Sequence, residues 1–507
     1  MFQVDAKQAI LEHTQKNSQK IANPKGLSAA AARIVQRPAE HTISPIVIIG
    51  VAQLVEALVL IGVGFGIYLS YVGSANNAFY LPAILGGTLL ANLFFNAARC
   101  HTIGAYRTLV RQSARTLAAW SAVFIAILMI IFFLKIQDSV SRVWLVSWFA
   151  LGSGAIILFR VSLRSLIRYW TAAGRLKRRT VIVGGGTDAE DLIDAIKGSD
   201  ESDLEVLGLF DDRIDKRSPE QVAGYPKLGK VADLAEFARQ TKVDLVLVSM
   251  PLSAEERVLE MLKQLWVLPV DIRLSAHMNQ LKFTANAYSY VAGVPVFDIA
   301  DRPISDWNLV FKWVFDKLVA LLALTLLSPV MALVALAIKL ESQGPIIFRQ
   351  KRHGFNNELI EIYKFRSMYT DRLDEGASKL VSKGDPRVTR VGRFIRKTSL
   401  DELPQLINVL SGKLSIVGPR PHAMEAKAHN TLYYEAVEGY FARHRVRPGI
   451  TGWAQIHGWR GETDTLDKIM QRVNHDLYYI ENWSVFLDLY ILIMTPISLV
   501  TQRENAY

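Results

Sequence analysis

Four long apolar runs lie in the first third of the chain, at about Ile46–Tyr71, Ala78–Ala98, Leu117–Leu134 and Val143–Phe159. Each approaches the ~20 residues that cross a bilayer as a helix, so each predicts a transmembrane segment. Glu56, inside the first run, reads as facing a neighbouring helix. The pattern then shortens. Arg179–Val183 predicts a strand, followed by Gly184-Gly185-Gly186 and a helix through Ile196. Leu204–Asp212, Val243–Val248 and Val270–Leu274 predict further strands. Strands alternating with helices imply a parallel, doubly wound sheet. A fifth apolar stretch, Leu318–Ile338, is interrupted at Ser328-Pro329. The chain closes on Val485–Val500, apolar but broken by Asp488 and Pro496, and short enough to read as interfacial.

These elements predict a membrane protein of mixed α and α/β class. Its expected parts are a cytoplasmic N-terminal segment (1–45), four transmembrane helices (46–168), a Rossmann-like α/β domain (178–300), a re-entrant hairpin (306–340) and a mostly helical, compact basic C-terminal domain (341–507).

Charge sets the expected orientation. Lys7, Lys16, Lys20, Lys25, Arg33 and Arg37 precede the first run; Arg99, Arg107, Arg111 and Arg115 separate the second from the third. Arg160, Arg164, Arg168, Arg175 and Lys177–Arg179 follow the fourth. The other two loops carry few cations, so the basic stretches are placed in the cytoplasm. The fifth run has basic flanks on both sides, Lys312 and Lys317 before, Lys339 and Arg349 after. A crossing would carry one of them outside, so a broken helix that enters the membrane and returns is expected. Proline removes a backbone donor there, and the neighbouring serine can satisfy the freed carbonyl. The competing arrangement is a Pro-kinked spanning helix.

Composition agrees with a membrane setting. Of 507 residues 50% are hydrophobic, mean hydropathy is +0.19, and the formal net charge is +11. Such a chain suits anionic lipid or anionic substrates. No basic stretch resembles a nucleic-acid module, so nucleic acid is not an expected partner. The single cysteine, Cys100, excludes a disulfide framework and a thiolate metal site. The polar, basic first 45 residues show no cleavable signal peptide.

The candidate chemistry centres on Asp401-Glu402, inside Lys397–Leu406. A carboxylate among guanidinium groups stays ionised and can serve as nucleophile or magnesium ligand. Arginines hold phosphate oxygens in a fork that lysine cannot copy. The purely structural alternative is a capping box, Ser399 as N-cap and Glu402 three residues on. Nearby blocks are Ile362–Met368, Leu414–Pro421 and Arg445–Trp453. The first alternates apolar and basic residues, like a strand presenting Lys364 and Arg366 on one face. His353, His422, His444 and His457 lack metal-ligand spacing and read as surface or polar-network groups. Trp453, Trp459 and Trp483 read as interfacial or core. Arg372, Asp374, Glu375 and Lys379 read as a solvated loop. In the α/β segment Gly184, Gly186 and Ala189, with Asp211 after the next strand, fit a G-x-G-x-x-A pattern for a nucleotide at the helix N-terminus. A tight strand-to-helix turn that binds nothing accounts for the same residues.

Together the C-terminal blocks closely resemble the bacterial sugar transferase family, the monotopic phosphoglycosyl transferases, over roughly Phe311 to the end. Four spans and an α/β domain upstream look like its large-form members. Arg420–Ala423 and Trp459–Thr465 look most like the members that use glucose. The resemblance implies transfer of a sugar 1-phosphate from a UDP-sugar to undecaprenyl phosphate at the cytoplasmic face of a bacterial inner membrane, with release of UMP. It implies exopolysaccharide or capsule assembly as the setting and a homodimer as the assembly. Carried over, Asp401 is the nucleophile that becomes a phospho-sugar, and Glu402 assists through Mg2+ or proton handling. Lys364, Arg366, Arg396, Arg420 and Arg447 are the candidate phosphate holders. A galactose-1-phosphate transferase is the near alternative, and a nucleotide-sensing membrane regulator with an inactive C-terminal domain the distant one.

Overall fold

The structure is a computed structural model. It describes residues 27–36, 42–73, 77–102, 106, 109–137, 140–199, 203–213, 218–250, 255–275, 289–292, 294–370, 385–421, 427–428, 431–432, 440–459 and 465–501. Several sequence expectations lie outside them: Lys7, Lys16, Lys20, Lys25, Arg37, Arg107, Arg372, Asp374, Glu375, Lys379, His422 and the run from Arg460 to Asp464. Two compact units result: Ala39–Arg178 with Glu201–Asp203, and the remainder of the chain. A short helix, α1 (Ala29–Val35), precedes the first unit and packs with the α/β layer of the second.

The first unit is a bundle of α2 (Pro45–Ile67), α3 (Asn77–Ala97), α4 (Leu109–Phe133) and α5 (Arg142–Ala172). These match the four apolar runs, and α5 continues beyond its run to carry Arg160, Arg164 and Arg168. Indole groups knit the bundle together. Trp144 and Trp148 donate their ring N–H groups to the carbonyls of Gly64 and Leu60, each at 3.0 Å. A Cβ on Gly64 would lie 2.9 Å from the Trp148 ring, so only glycine admits that indole. Glu56 does face its neighbours: Arg160 Nε donates to its carboxylate at 2.7 Å, and His101 Nε2 lies 2.8 Å from it. Leu54, Leu85, Leu128 and Leu158 point outward from the same helices.

The second unit holds the α/β layer and the C-terminal region. Its largest sheet among the described residues has the order β3-β4-β2-β1-β5-β6-β8-β7. The strands are β1 (Arg178–Val183), β2 (Leu204–Phe210), β3 (Gln221–Val222), β4 (Tyr225–Gly229), β5 (Leu245–Val248), β6 (Asp271–Ser275), β7 (Ser289–Val291) and β8 (Val294–Ala300). The pairs β2–β4, β1–β5 and β5–β6 are parallel, as the alternating pattern predicted; β8 runs antiparallel to β6. Parallel strands covered on both faces read as unbroken apolar runs, and β5 is buried at all four positions. Helices α6 (Thr187–Gly198), α7 (Leu234–Gln240) and α8 (Glu255–Leu265) cover the sheet.

Next comes α9 (Asp306–Glu341), 36 residues with Pro329 inside. The expected interruption at Ser328-Pro329 is not there: helix continues through it. The reason is local. Pro329 cannot donate to the carbonyl of Thr325, and Ser328 Oγ takes that acceptor at 2.9 Å. Two of the flanking cations are also internal ion-pair and cap groups. Lys312 Nζ lies 2.6 Å from Asp488 and 2.9 Å from the Val417 carbonyl, while Lys317 donates to the carbonyls of Val409 and Leu410.

The C-terminal region packs around a hairpin of β9 (Ile347–His353) and β10 (Leu359–Phe365) and a parallel pair, β11 (Ser415–Val417) with β14 (Gly449–Thr451). Strands β12 (Lys427–Ala428) and β13 (Thr431–Leu432) form a small ladder. The helices are α10 (Arg390–Lys397), α11 (Gln405–Leu410), α12 (Trp453–Ile456), α13 (Leu466–Glu481) and α14 (Val485–Thr501). In α14, Asp488 is fully buried against Lys312 and Tyr479. Phe486 and Ile493 stand exposed on the same helix. Five helices of the described residues, α2 (extended to Val72) to α5 and α9, are long and apolar enough to cross a membrane. They mark a membrane protein.

Candidate active site

The acidic pair sits between α10 and α11. Ser399 adopts a left-handed conformation, φ 60°, and its side chain makes no cap bond. The expected capping box is therefore absent, and Asp401 and Glu402 lie in a 3₁₀ turn, Leu400–Glu402, instead of the first turn of an α-helix. Pro404 and the reversal at Ser399 leave room for only that turn before α11 begins. The reversal aims both carboxylates at β10 and at the turn after β11, and each residue is 8% exposed.

Glu402 is the electrostatic centre. Lys364 Nζ donates to Glu402 Oε1 at 2.9 Å. Arg420 grips both carboxylate oxygens, NH1 to Oε2 at 3.2 Å and NH2 to Oε1. Burial pushes this carboxyl up, but Arg420 and Lys364 override it and hold it well below the usual range. Asp401 goes the other way. Burial raises its carboxyl above the usual value, and Lys364, whose Nζ lies 4.0 Å from Oδ2, only partly offsets this. Glu402 raises it further; Arg396 and Arg420 lower it. The expectation that cations keep Asp401 easily ionised thus fits Glu402, while Asp401 is the more basic and more nucleophilic of the two. Buried, neighbouring carboxylates with pKa values driven apart mark distinct roles.

The predicted phosphate holders divide. Lys364 and Arg420 line one cleft with Arg352, Ile362, Glu402, Gln405 and Pro421. Arg396 reaches the site through its charge on Asp401. Arg366 is elsewhere. It leaves β10 on the expected face, but its guanidinium donates to the carbonyls of Gln343 and Ser342, both at 2.7 Å, and to Ser342 Oγ. It bonds the chain just past the end of α9 and does not line the cleft with Lys364 and Arg420. Arg447 acts electrostatically on Lys317 of α9 and is not among the residues that line the cleft. Arg352 and Gln405 are cleft residues that sequence reasoning missed. Arg352 alternates with Gln350 along β9, a pattern that signals a strand face but not what it faces. His444, expected at the surface or in a polar network, is buried with neither ring nitrogen hydrogen-bonded.

Gly184, Gly186 and Asp211 do come together, and the close packing around Gly184 and Gly185 leaves no room for a side chain at either position. Gly184 and Gly186 take positive φ, 106° and 86°. A Cβ on Gly184 would lie 2.8 Å from the Ser249 carbonyl oxygen, and one on Gly185 would lie 2.8 Å from the Asp211 carboxylate. Arg213 pairs with that carboxylate and donates to the Gly185 carbonyl. These glycines make a tight strand-to-helix turn, with the Asp211–Arg213 pair at its mouth.

Comparison with known proteins agrees with this division. Residues 307–502 match the family model described as bacterial sugar transferase, and residues 101–276 match one described as CoA-binding domain. An Escherichia coli (strain K12) protein named UDP-glucose:undecaprenyl-phosphate glucose-1-phosphate transferase is 40% identical over 71% of this chain and 75% of its own length. The exopolysaccharide production protein PSS of Rhizobium leguminosarum bv. phaseoli is 48% identical over 39% of this chain and 99% of its own. A UDP-N-acetylgalactosamine-undecaprenyl-phosphate N-acetylgalactosaminephosphotransferase of Aeromonas hydrophila is 44% identical over 37% of this chain and 43% of its own. The chain belongs to the bacterial sugar transferase family. It is a phosphoglycosyl transferase, which sets aside a regulator with an inactive C-terminal domain.

Proposed function

We propose that this enzyme transfers glucose 1-phosphate from UDP-glucose to undecaprenyl phosphate through a phospho-glucose carried on Asp401. The observation that supports the route is the opposed tuning of the acidic pair, one carboxyl made basic by burial and the other spent on two cations. An Asp401 oxygen attacks the sugar-bearing phosphorus, and the bond to the bridging oxygen breaks, so UMP leaves. An oxygen of the lipid phosphate then attacks the same phosphorus and releases Asp401. Charge balances in both steps without a proton, so no general base is required. Glu402, held ionised, is a poor base; its part is to fix Lys364 and Arg420 where the diphosphate lands. Arg352 adds a third cation to that cleft, so positive charge exceeds what Glu402 neutralises.

Among the described residues no group of three or more His, Cys, Asp or Glu side chains could hold a metal. Mg2+ does not require one, since one or two carboxylates plus substrate phosphates suffice. Asp401 would supply such a carboxylate beside the donor's diphosphate, where the ion would neutralise charge on the leaving group; both Glu402 oxygens already accept from Lys364 and Arg420, so Glu402 would have to give up one of those bonds to join it.

For topology we propose four spans in the first unit, cytoplasmic placement of the site, and a re-entrant hairpin course for α9, in which the continuous helix bends at Pro329 without breaking. Two observations support the hairpin. Leu321, Leu322, Leu326 and Leu333 are exposed in the middle of α9. On either side of them, Ala320 joins the core around Ile362 of β10, and Val334 and Ile338 join that around Phe365 of the same strand.

The test is mass spectrometry of protein exposed to UDP-glucose and Mg2+ before lipid is added. A phospho-hexose on Asp401 is expected; turnover without one, or turnover by Asp401→Asn, overturns the covalent route. The Aeromonas relative's name keeps another hexose as the second reading, and a panel of UDP-sugars decides between them.

A further inference from the structure

The turn that presents Arg420 is gripped from behind. Arg443 NH2 donates to the carbonyl of Arg420 itself at 2.7 Å and to Asp476 Oδ2 of α13 at 2.6 Å. Arg352 NH1 donates to the next carbonyl, that of Pro421, at 2.6 Å. Two consecutive carbonyls of one turn are thus fixed by two guanidinium groups. Arg443 is 1% exposed, and its guanidinium also lies over the Tyr440 ring at 5.4 Å.

We propose that the buried Arg443–Asp476 pair is a positioning device for the transferase. It holds the backbone of Arg420 so that the Arg420 side chain meets Glu402 and the substrate diphosphate. Neither residue touches the cleft. A buried ion pair adds little to net stability, since apolar groups of similar size often replace one without loss. Its presence therefore calls for another explanation, and a planar donor that spans a carboxylate and a main-chain carbonyl supplies one.

This inference rests on the placement of Arg420 in the phosphate site, and its test separates the two. Arg443→Met/Asp476→Leu removes both charges of the pair, and the neighbouring buried Arg472, which also faces Asp476, keeps its hydrogen bond to the Trp459 carbonyl. A purely structural pair predicts a double variant with parental melting temperature, parental kcat and parental pH profile. The positioning role predicts a folded double variant with kcat reduced at least tenfold and an acid limb moved to higher pH, because a displaced Arg420 no longer lowers the two carboxyls. Arg443→Lys keeps the charge beside Asp476 but offers no planar fork, and it is expected to show the same displacement. The pH dependence of the melting temperature reports independently of turnover. Glu402's contribution to stability is present above its unfolded value and lost as pH falls through its depressed folded value. In both variants that loss begins at higher pH. Parental limbs in kcat and in melting temperature for either folded variant overturn the proposal. An inactive parent with a displaced melting profile in the variants would instead discard the substrate assignment and leave the clamp standing.

Discussion

Replacing Lys364 by methionine removes a cation that pairs with both carboxylates while retaining most of the volume. Its Nζ lies 4.0 Å from Asp401 Oδ2. A charge pair at that distance is worth about 1 kcal/mol in water and about 4 kcal/mol at the effective dielectric of a protein surface. The side chains are 18% and 12% exposed, which places the pair between these limits. Loss of the cation disfavours ionised Asp401, so the acid limb of kcat/KM moves to higher pH by about one unit per 1.4 kcal/mol. Below the limb the variant is slower in proportion; well above it the remaining loss reflects only phosphate binding. The assay is UMP release from UDP-glucose with polyprenyl phosphate, followed from pH 5 to pH 9. A limb that stays in place, or moves to lower pH, refutes the assignment of Asp401 as the group whose ionisation limits turnover.

Glu402→Gln has the opposite sign. It removes the like charge that raises Asp401 and frees Lys364 and Arg420 for it, so the limb moves to lower pH while kcat drops roughly 100-fold as the cations lose their anchor. Arg366→Met costs about 2–3 kcal/mol of stability by orphaning the carbonyls that end α9; calorimetry should register it, and the donor KM of the folded fraction should not change, whereas Arg420→Met raises that KM. Cysteines at Leu309 and Leu340, both exposed, in a Cys100→Ser background should be labelled by an impermeant thiol reagent from the same face of inverted vesicles; labelling from opposite faces rejects the hairpin. Lys312→Met leaves two buried carboxylates, Asp488 and Asp316, without the cation between them and should cost about 3–5 kcal/mol, read by thermal melting.

The parts that were legible in the sequence are those set by a local pattern. Apolar length gave α2 to α5, and alternation gave β1, β2, β5 and β6. The acidic pair was legible because Asp401 and Glu402 are adjacent and cations crowd the same stretch. What stayed hidden depended on long-range contacts. Arg366 and Lys364 share a strand face, yet the end of α9, 23 residues earlier in the chain, captures one and leaves the other free. Lys312 and Lys317 read as membrane-flanking charge until the fold paired them with Asp488 and the end of α11. Gly184 and Gly186 fit a phosphate loop by spacing, and the same spacing fits the tight turn they make beside Asp211. Periodicity carries no information on which partner a cation will find.

The far end of α9 holds two fasteners. Arg366, next but one to Lys364, bonds the carbonyls of Ser342 and Gln343, and the Glu341 carboxylate accepts from the main-chain N–H groups of Arg390 and Val391, which start the helix leading to Asp401. Both halves of the reaction centre therefore hang from a single anchor point. When the surrounding lipid thins or thickens, the nucleophile and its counter-charge ride together, so the rate in vesicles should depend weakly on acyl-chain length. A steep dependence would show that the anchor flexes.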